Sequence, residues 1–135
     1  MLRTWPAHQR YSLLAEACTA IRLGFFAEAE AILESLGGCA SSDAACLNLL
    51  GIVHEARRQW KAARRCYGKA IFLDHCYEPA QQNMRRLYEL YTFGRSAERV
   101  ALGDERLALG MLLLAPEYRP QVESREQGGK RQASG

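Results

Sequence analysis

The sequence repeats its own pattern of apolar and small residues with a period of 34 residues. The clearest copy lies between Cys46 and Asp74, and related copies lie one period upstream and one period downstream. Aligned positions include Leu13 with Leu47, Phe26 with Trp60, Ala29 with Ala63, and Leu33 with Tyr67. Units of this length cannot bury their apolar faces alone and become stable only by stacking on neighbours. The period therefore predicts a linear stack of similar units.

Each unit contains stretches with the apolar spacing of a helix, separated by turn and capping residues. Alanine and leucine dominate the apolar content, and no run of alternating apolar and polar residues predicts a strand. Gly24 is expected to end the first helix and Pro79 to begin the fifth. Ser42 or Asp43 can cap the third helix. The chain is therefore predicted to be all-α, with helices at residues 10–23, 26–36, 44–57, 60–73 and 79–91.

The central unit carries a leucine, then a Leu-Gly pair, then small, aromatic and small residues. These residues are Leu47, Leu50, Gly51, Ala63, Tyr67 and Ala70. In their order and spacing they resemble the tetratricopeptide repeat, whose period is 34 residues. His54 stands where that family usually has tyrosine, and His75 stands where the family ends the unit with proline. Gly51 and Ala63 are expected where the two helices of the hairpin approach most closely.

The resemblance implies an α-α superhelix of stacked helical hairpins with a C-terminal closing helix at residues 104–115. The predicted helical domain covers residues 10–118, and residues 1–9 form a lead-in. Residues 119–135 contain almost no apolar side chains and are predicted to be disordered. The domain divides into units at about residues 10–43, 44–77 and 78–103.

Composition favours a protein of the cytoplasm. The five cysteines include no C-x-x-C pair, which argues against a disulfide framework or a zinc knuckle. No stretch reaches the roughly 18 to 20 apolar residues of a membrane span. Glu16 interrupts the apolar run near the N-terminus, so a secretory signal is not predicted. The expected compartment is cytoplasmic, with no membrane attachment.

The candidate catalytic and metal-binding residues all have simpler structural interpretations. His54 occupies an aromatic position of the repeat, where a packed or groove-lining histidine is favoured over a base or a ligand. His75 and Cys76, with Cys66 ten residues before Cys76, match no common zinc spacing. The chain is therefore predicted to be no enzyme, and neither a metal nor a cofactor is expected.

The first helix of each hairpin lines a concave groove in proteins of the resembled family. The resemblance therefore implies a partner-binding groove with amides and mixed charges beside an apolar floor, which suits an extended peptide or a helix. Its predicted residues are Asn48, Ile52, Glu55, Gln82, Asn83, Arg86 and Glu89.

A basic run on the fourth helix offers a competing surface. No acidic residue lies between Glu55 and Asp74, and the predicted basic residues are Lys61, Arg64, Arg65 and Lys69. Glutamates of the second helix, such as Glu30, can neutralise part of this face. A solvated, partly paired face is the favoured interpretation, and an acidic partner or nucleic acid is the alternative. The formal charge of +3 alone does not indicate a nucleic-acid binder.

These observations predict a non-catalytic scaffold or adaptor that binds a protein or peptide in the concave groove. The alternative is a basic surface, on residues 60–73, that binds nucleic acid or an acidic partner. The chain is expected to be a monomer or a weak homo-oligomer, because Leu112, Leu113 and Leu114 can either complete the core or contact another chain.

Overall fold

The computed structural model describes residues 6–105 and residue 107. This part of the chain contains no strand, which confirms the all-helical prediction. A short 3₁₀ turn at Gly38–Ala40 separates the second and third helices, in a stretch that was predicted to be a simple loop. The helices are α1 (Ala7–Arg22), α2 (Phe26–Ser35), α3 (Ala44–Ala56), α4 (Trp60–Leu73) and α5 (Glu78–Phe93).

The helix ends lie where the local chemistry predicts them. Gly24 and Gly94 follow α1 and α5 with φ angles of +82° and +74°, which glycine adopts without steric cost. The side chain of Asp43 accepts a hydrogen bond from the Ala45 amide at 3.0 Å and so caps α3. Pro79 stands in the first turn of α5, where its missing amide hydrogen costs nothing. The capping and turn residues therefore predict the ends of the helices to within about three residues.

Neighbouring helices pack against each other along the chain. The pairs α1 with α2 and α3 with α4 form two hairpins, and α5 packs on α4. Gly51 of α3 lies directly against the ring of Tyr67 of α4, where a Cβ atom would be 2.5 Å from the ring carbon Cε1. Leu14, Leu33 and Leu50 are fully or almost fully buried in the same core as Tyr67. The close approach expected at Gly51 is therefore confirmed.

The third predicted unit, residues 78–103, contains one helix, α5. Residues 95–103 are not helical, and no helix was predicted for them. We call them the return segment, because after Gly94 they run back along α5 in the opposite direction. A helical turn begins at Asp104, and Leu107 in that turn is buried. The rest of the predicted closing helix and the predicted disordered tail lie outside the described residues.

Membrane-spanning helices and metal-binding clusters were both not expected from the sequence. Within residues 6–105 and 107, none of the helices has the length and apolar content needed to cross a bilayer. The same residues contain no cluster of three or more histidine, cysteine, aspartate or glutamate side chains that could hold a metal ion.

Candidate functional site

The predicted groove residues lie together on one face of α3 and α5, but most of them are covered. The side chains of Asn48 and Asn83 have 0% exposure, and Arg86 has 5%. Ile52 is buried in the apolar core and is not a contact surface. Glu55, Gln82 and Glu89 are partly buried. The return segment therefore already contacts the predicted groove, and partner binding at these residues stays a prediction.

Two asparagines hold the main chain of one residue in the return segment. The Nδ2 groups of Asn48 and Asn83 both donate to the carbonyl oxygen of Ala101, at 2.9 and 2.8 Å. The Ala101 amide donates to Oδ1 of Asn83 at 2.8 Å. Asn83 Nδ2 also donates to Asn48 Oδ1 at 2.7 Å. We call this pair the asparagine clamp; it satisfies both main-chain groups of Ala101, and the amide that donates to Oδ1 fixes the orientation of the Asn83 side chain.

Other side chains of α5 hold the return segment on either side of the clamp. Gln82 Nε2 donates to the carbonyl oxygen of Arg99 at 2.7 Å. Arg85 pairs with Glu98 at 3.4 Å, and Ser96 donates its hydroxyl hydrogen to the carboxylate of Glu89. The ion pair is largely exposed, so it adds little stability. The main-chain contacts therefore carry most of the attachment.

A cluster formed by Arg86, Glu55 and the hydroxyl of Tyr67 bonds to the asparagine clamp through Arg86. Arg86 donates to Glu55 and, at 3.2 Å, to Oδ1 of Asn83. The hydroxyl of Tyr67 donates to Oε1 of Glu55 at 2.8 Å. Burial, followed by the charge of Glu55, raises the pKa of Tyr67 well above its usual value, so its hydroxyl stays a hydrogen-bond donor. The cluster thus links α4, α3 and α5 to the return segment.

The sequence placed the groove residues on one face but did not identify their occupant. The sequence could not indicate that Ala101 lies in the groove, because the groove holds only the main chain of this residue. The repeat pattern explains Tyr67 as an aromatic position, but it does not predict the hydrogen bond of the Tyr67 hydroxyl to Glu55. The ion pair joins Glu55 to Arg86, which lies about one helical turn before Glu89, the residue that the 34-residue period aligns with Glu55.

The predicted basic face is present on α4 and is only partly neutralised. Lys61, Arg64 and Arg65 are exposed and form no ion pair within the described residues. Lys69 donates to the carbonyl oxygen of Cys39 at 2.6 Å. Arg57, at the end of α3, pairs with Glu30 at 2.8 Å. Three cations therefore remain open to solvent.

The thiol and imidazole groups of the described residues do not form a catalytic arrangement. Burial raises the pKa of the thiols of Cys18 and Cys46 to about 12, and that of Cys66 to about 11. These thiols are therefore poor nucleophiles at neutral pH. His54 Nδ1 lies 2.7 Å from Oε1 of Gln59, at the turn between α3 and α4. This contact stabilises the turn and needs no catalytic role.

One pocket lies apart from the groove contacts, beside the first turns of α1 and α3. It has a volume of about 350 Å³, and its lining includes Tyr11, Ala44, Leu73 and Leu107. Its polar lining includes Arg10 and Asp43, which pair at 3.5 Å. Ser42, Asp74 and Tyr77 add further polar groups to this lining.

Comparison of the chain with known protein families, curated proteins and solved structures found no match.

Proposed function

We propose that the protein is a non-catalytic interaction module that binds an extended peptide on the inner face of a tetratricopeptide-like stack. The observation that carries this proposal is the asparagine clamp. It binds the N–H and C=O groups of a single residue of a non-helical segment, here Ala101, and leaves none of its own amide atoms unpaired. A pair of side chains arranged in this way is suited to hold a peptide main chain.

The repeat period and the helix packing support a tetratricopeptide-like arrangement. Two hairpins and a single helix correspond to two and a half units, with α1, α3 and α5 as the inner helices. Gly51 and Tyr67 make the close contact that the repeat pattern requires between the two helices of one hairpin. The return segment then follows α5 and packs against the inner helices α3 and α5.

The mode of attachment favours a peptide over a partner helix. The groove contacts the main chain at residues 99 and 101, which are two apart, as in an extended chain. The side chains of Arg99 and Val100 are exposed, so they are not read by the groove. A helix has no free main-chain groups in its interior and cannot be held in this way. The partner is therefore an extended segment.

A partner in the groove must displace the return segment. The apparent affinity of a partner is its affinity for the open groove multiplied by the fraction of time that the groove is open. Because the return segment is tethered at Gly94, its effective concentration is high, and wild-type protein is expected to bind added peptides weakly. Binding tests therefore need a chain in which the tethered occupant is weakened.

A peptide selection on the full-length Ala101→Pro variant tests the proposal. Proline removes the amide hydrogen that binds Asn83 and so weakens the internal occupant. We expect this variant to select extended peptides from a random library, and the double variant Asn48→Ala/Ala101→Pro to lose them. Circular dichroism checks that both chains remain helical. Peptides that bind both variants equally, or no selected peptides at all, would rule out the groove as the binding site.

The basic face supports a second candidate function, binding of nucleic acid or an acidic partner. Lys61, Arg64 and Arg65 are exposed on one helix with no acidic neighbour paired to them in the described structure. Contacts to several phosphates would make the affinity fall steeply with salt.

Charge reversal on the basic face separates this candidate from an effect of total charge. We expect Lys61→Glu/Arg65→Glu to abolish any binding of a generic oligonucleotide or a poly-glutamate peptide at low salt. The matched control is Arg95→Glu/Arg99→Glu, which makes the same change in net charge at exposed positions away from α4. Fluorescence anisotropy at several salt concentrations measures both. Equal losses in the two variants, or no binding by the wild type, would remove this candidate.

A further inference from the structure

The stretch that occupies the groove is repeated seven residues further along the chain. Residues 98–103 read ERVALG, and residues 105–110 read ERLALG. Five of the six positions are identical, and the one difference replaces valine by leucine. This short repeat is separate from the 34-residue period, and its first copy lies in the segment that meets the groove.

The groove explains which positions of the repeated stretch are restricted. Ala101 is held through its main chain by the asparagine clamp. Leu102 packs against the apolar core. Val100, the position that differs between the two copies, is 48% exposed. The variable position is therefore one whose side chain the groove does not require.

Gly103 is restricted by both its backbone and its surroundings. Its φ angle is +77°, a conformation that residues with a side chain rarely adopt. A Cβ atom at this position would lie 2.5 Å from the hydroxyl oxygen of Tyr77 and 3.2 Å from Cγ of Pro79. The end of the groove thus excludes a side chain. The sequence Ala-Leu-Gly meets all three requirements, and it occurs again at residues 108–110.

We propose that the groove is specific for Ala-Leu-Gly in an extended chain, and that residues 105–110 are a second ligand for it. The inference rests on the proposed peptide-binding function and specifies its ligand. A partner that enters the groove carries a residue with a free main-chain N–H for the clamp, then a leucine-sized apolar residue, then glycine. Within the chain, the second copy competes with the first for the same site.

The described contacts explain why the first copy holds the groove in this structure. With residues 98–103 in place, Asp104 pairs with Arg22 and Leu107 is buried in the core. Exchange to the second copy would break these two contacts and enlarge the loop after Gly94 by seven residues. The entropy cost of a longer loop rises only slowly with its length. Weakening the first copy should therefore allow the second to replace it.

Matched glycine substitutions in full-length protein test the competition. The probe is a fluorescein-labelled synthetic peptide with the sequence of residues 95–104. Gly103→Ala disables the first internal copy, Gly110→Ala disables the second, and the double variant disables both. Gly94→Ala is the control, since Gly94 has a similar φ of +74° but nothing within 4 Å of a new Cβ.

We expect the wild type, Gly110→Ala and Gly94→Ala to bind the probe negligibly, because the first internal copy fills their grooves. Gly103→Ala should bind it weakly, and the double variant should bind at least about tenfold more tightly, because no internal competitor remains. Probe peptides in which alanine is replaced by proline or glycine by valine should not bind.

Equal affinity of Gly103→Ala and the double variant would show that the second copy does not compete, and the inference would be wrong. The same conclusion follows if the probe binds neither the folded double variant nor a folded Ala101→Pro/Gly110→Ala chain. If the peptide selection still yields clamp-dependent ligands of other sequence, the proposed function stands and only the Ala-Leu-Gly specificity fails. If the selection yields none, both fail.

Discussion

Asn83→Ala is expected to reduce the free energy of unfolding by about 2 to 4 kcal/mol, because it leaves several buried polar groups without partners. Asn83 has 0% exposure and bonds to Asn48, Arg86 and both main-chain groups of Ala101. Alanine cannot replace any of these bonds, and the site is too enclosed for water to do so freely. Urea denaturation followed by circular dichroism measures the loss. Against a typical stability of about 5 to 15 kcal/mol, this is a large effect.

Gln82→Ala is the matched control for Asn83→Ala. Gln82 lies on the same helix and holds the same return segment, but it makes one hydrogen bond and is only partly buried. Its loss should cost about 1 kcal/mol or less. Hydrogen exchange gives a second readout, since the Ala101 amide should exchange much faster in Asn83→Ala than in Gln82→Ala. Equal effects of the two substitutions would contradict the central role assigned to the clamp.

The helices could be predicted from the sequence because their signals are local. Gly24, Asp43 and Pro79 mark helix ends through backbone freedom, capping and a fixed φ angle, and each acts within one turn. The packing role of Gly51 could also be predicted, since the repeat pattern specifies a small residue there. Such features depend on neighbours a few residues away or on a repeat that the chain itself displays.

The return segment could not be predicted in the same way. Residues 95–103 lack the apolar spacing of a helix, and nothing in their sequence indicates which surface they pack against. Ala101 meets Asn83 across 18 residues and Asn48 across 53 residues. No local pattern encodes such pairings. The contacts of Asn48, Gln82 and Asn83 therefore depend on a distant segment that only the structure shows.

The asparagine clamp has two roles that oppose each other. Its hydrogen bonds to Ala101 stabilise the packing of the return segment against α3 and α5. The same bonds close the surface that the repeat resemblance assigns to partners. A binding function therefore requires that the return segment be held firmly enough to complete the fold, yet released at a cost that a partner can offset.

Gly51→Ala is the second substitution with a large expected effect, because the new Cβ would lie 2.5 Å from the ring of Tyr67. The ring has no freedom to move away, since Tyr67 is fully buried and its hydroxyl is bonded to Glu55. Forcing α3 and α4 apart should cost about 1 to 3 kcal/mol, which outweighs the gain in helix propensity of up to about 1 kcal/mol. The measurement is the midpoint of urea denaturation.

Gly68→Ala provides a control of the same chemistry on the facing helix. Gly68 lies within α4, and the nearest atom to a new Cβ is the methyl carbon of Met84 at 3.6 Å, an ordinary contact. This variant gains helix propensity without a clash, so it should be more stable than the wild type by up to about 1 kcal/mol. The two glycines thus separate backbone propensity from packing. If Gly51→Ala were also stabilising, α3 and α4 could not be as close as described, and the hairpin would lose its resemblance to the repeat.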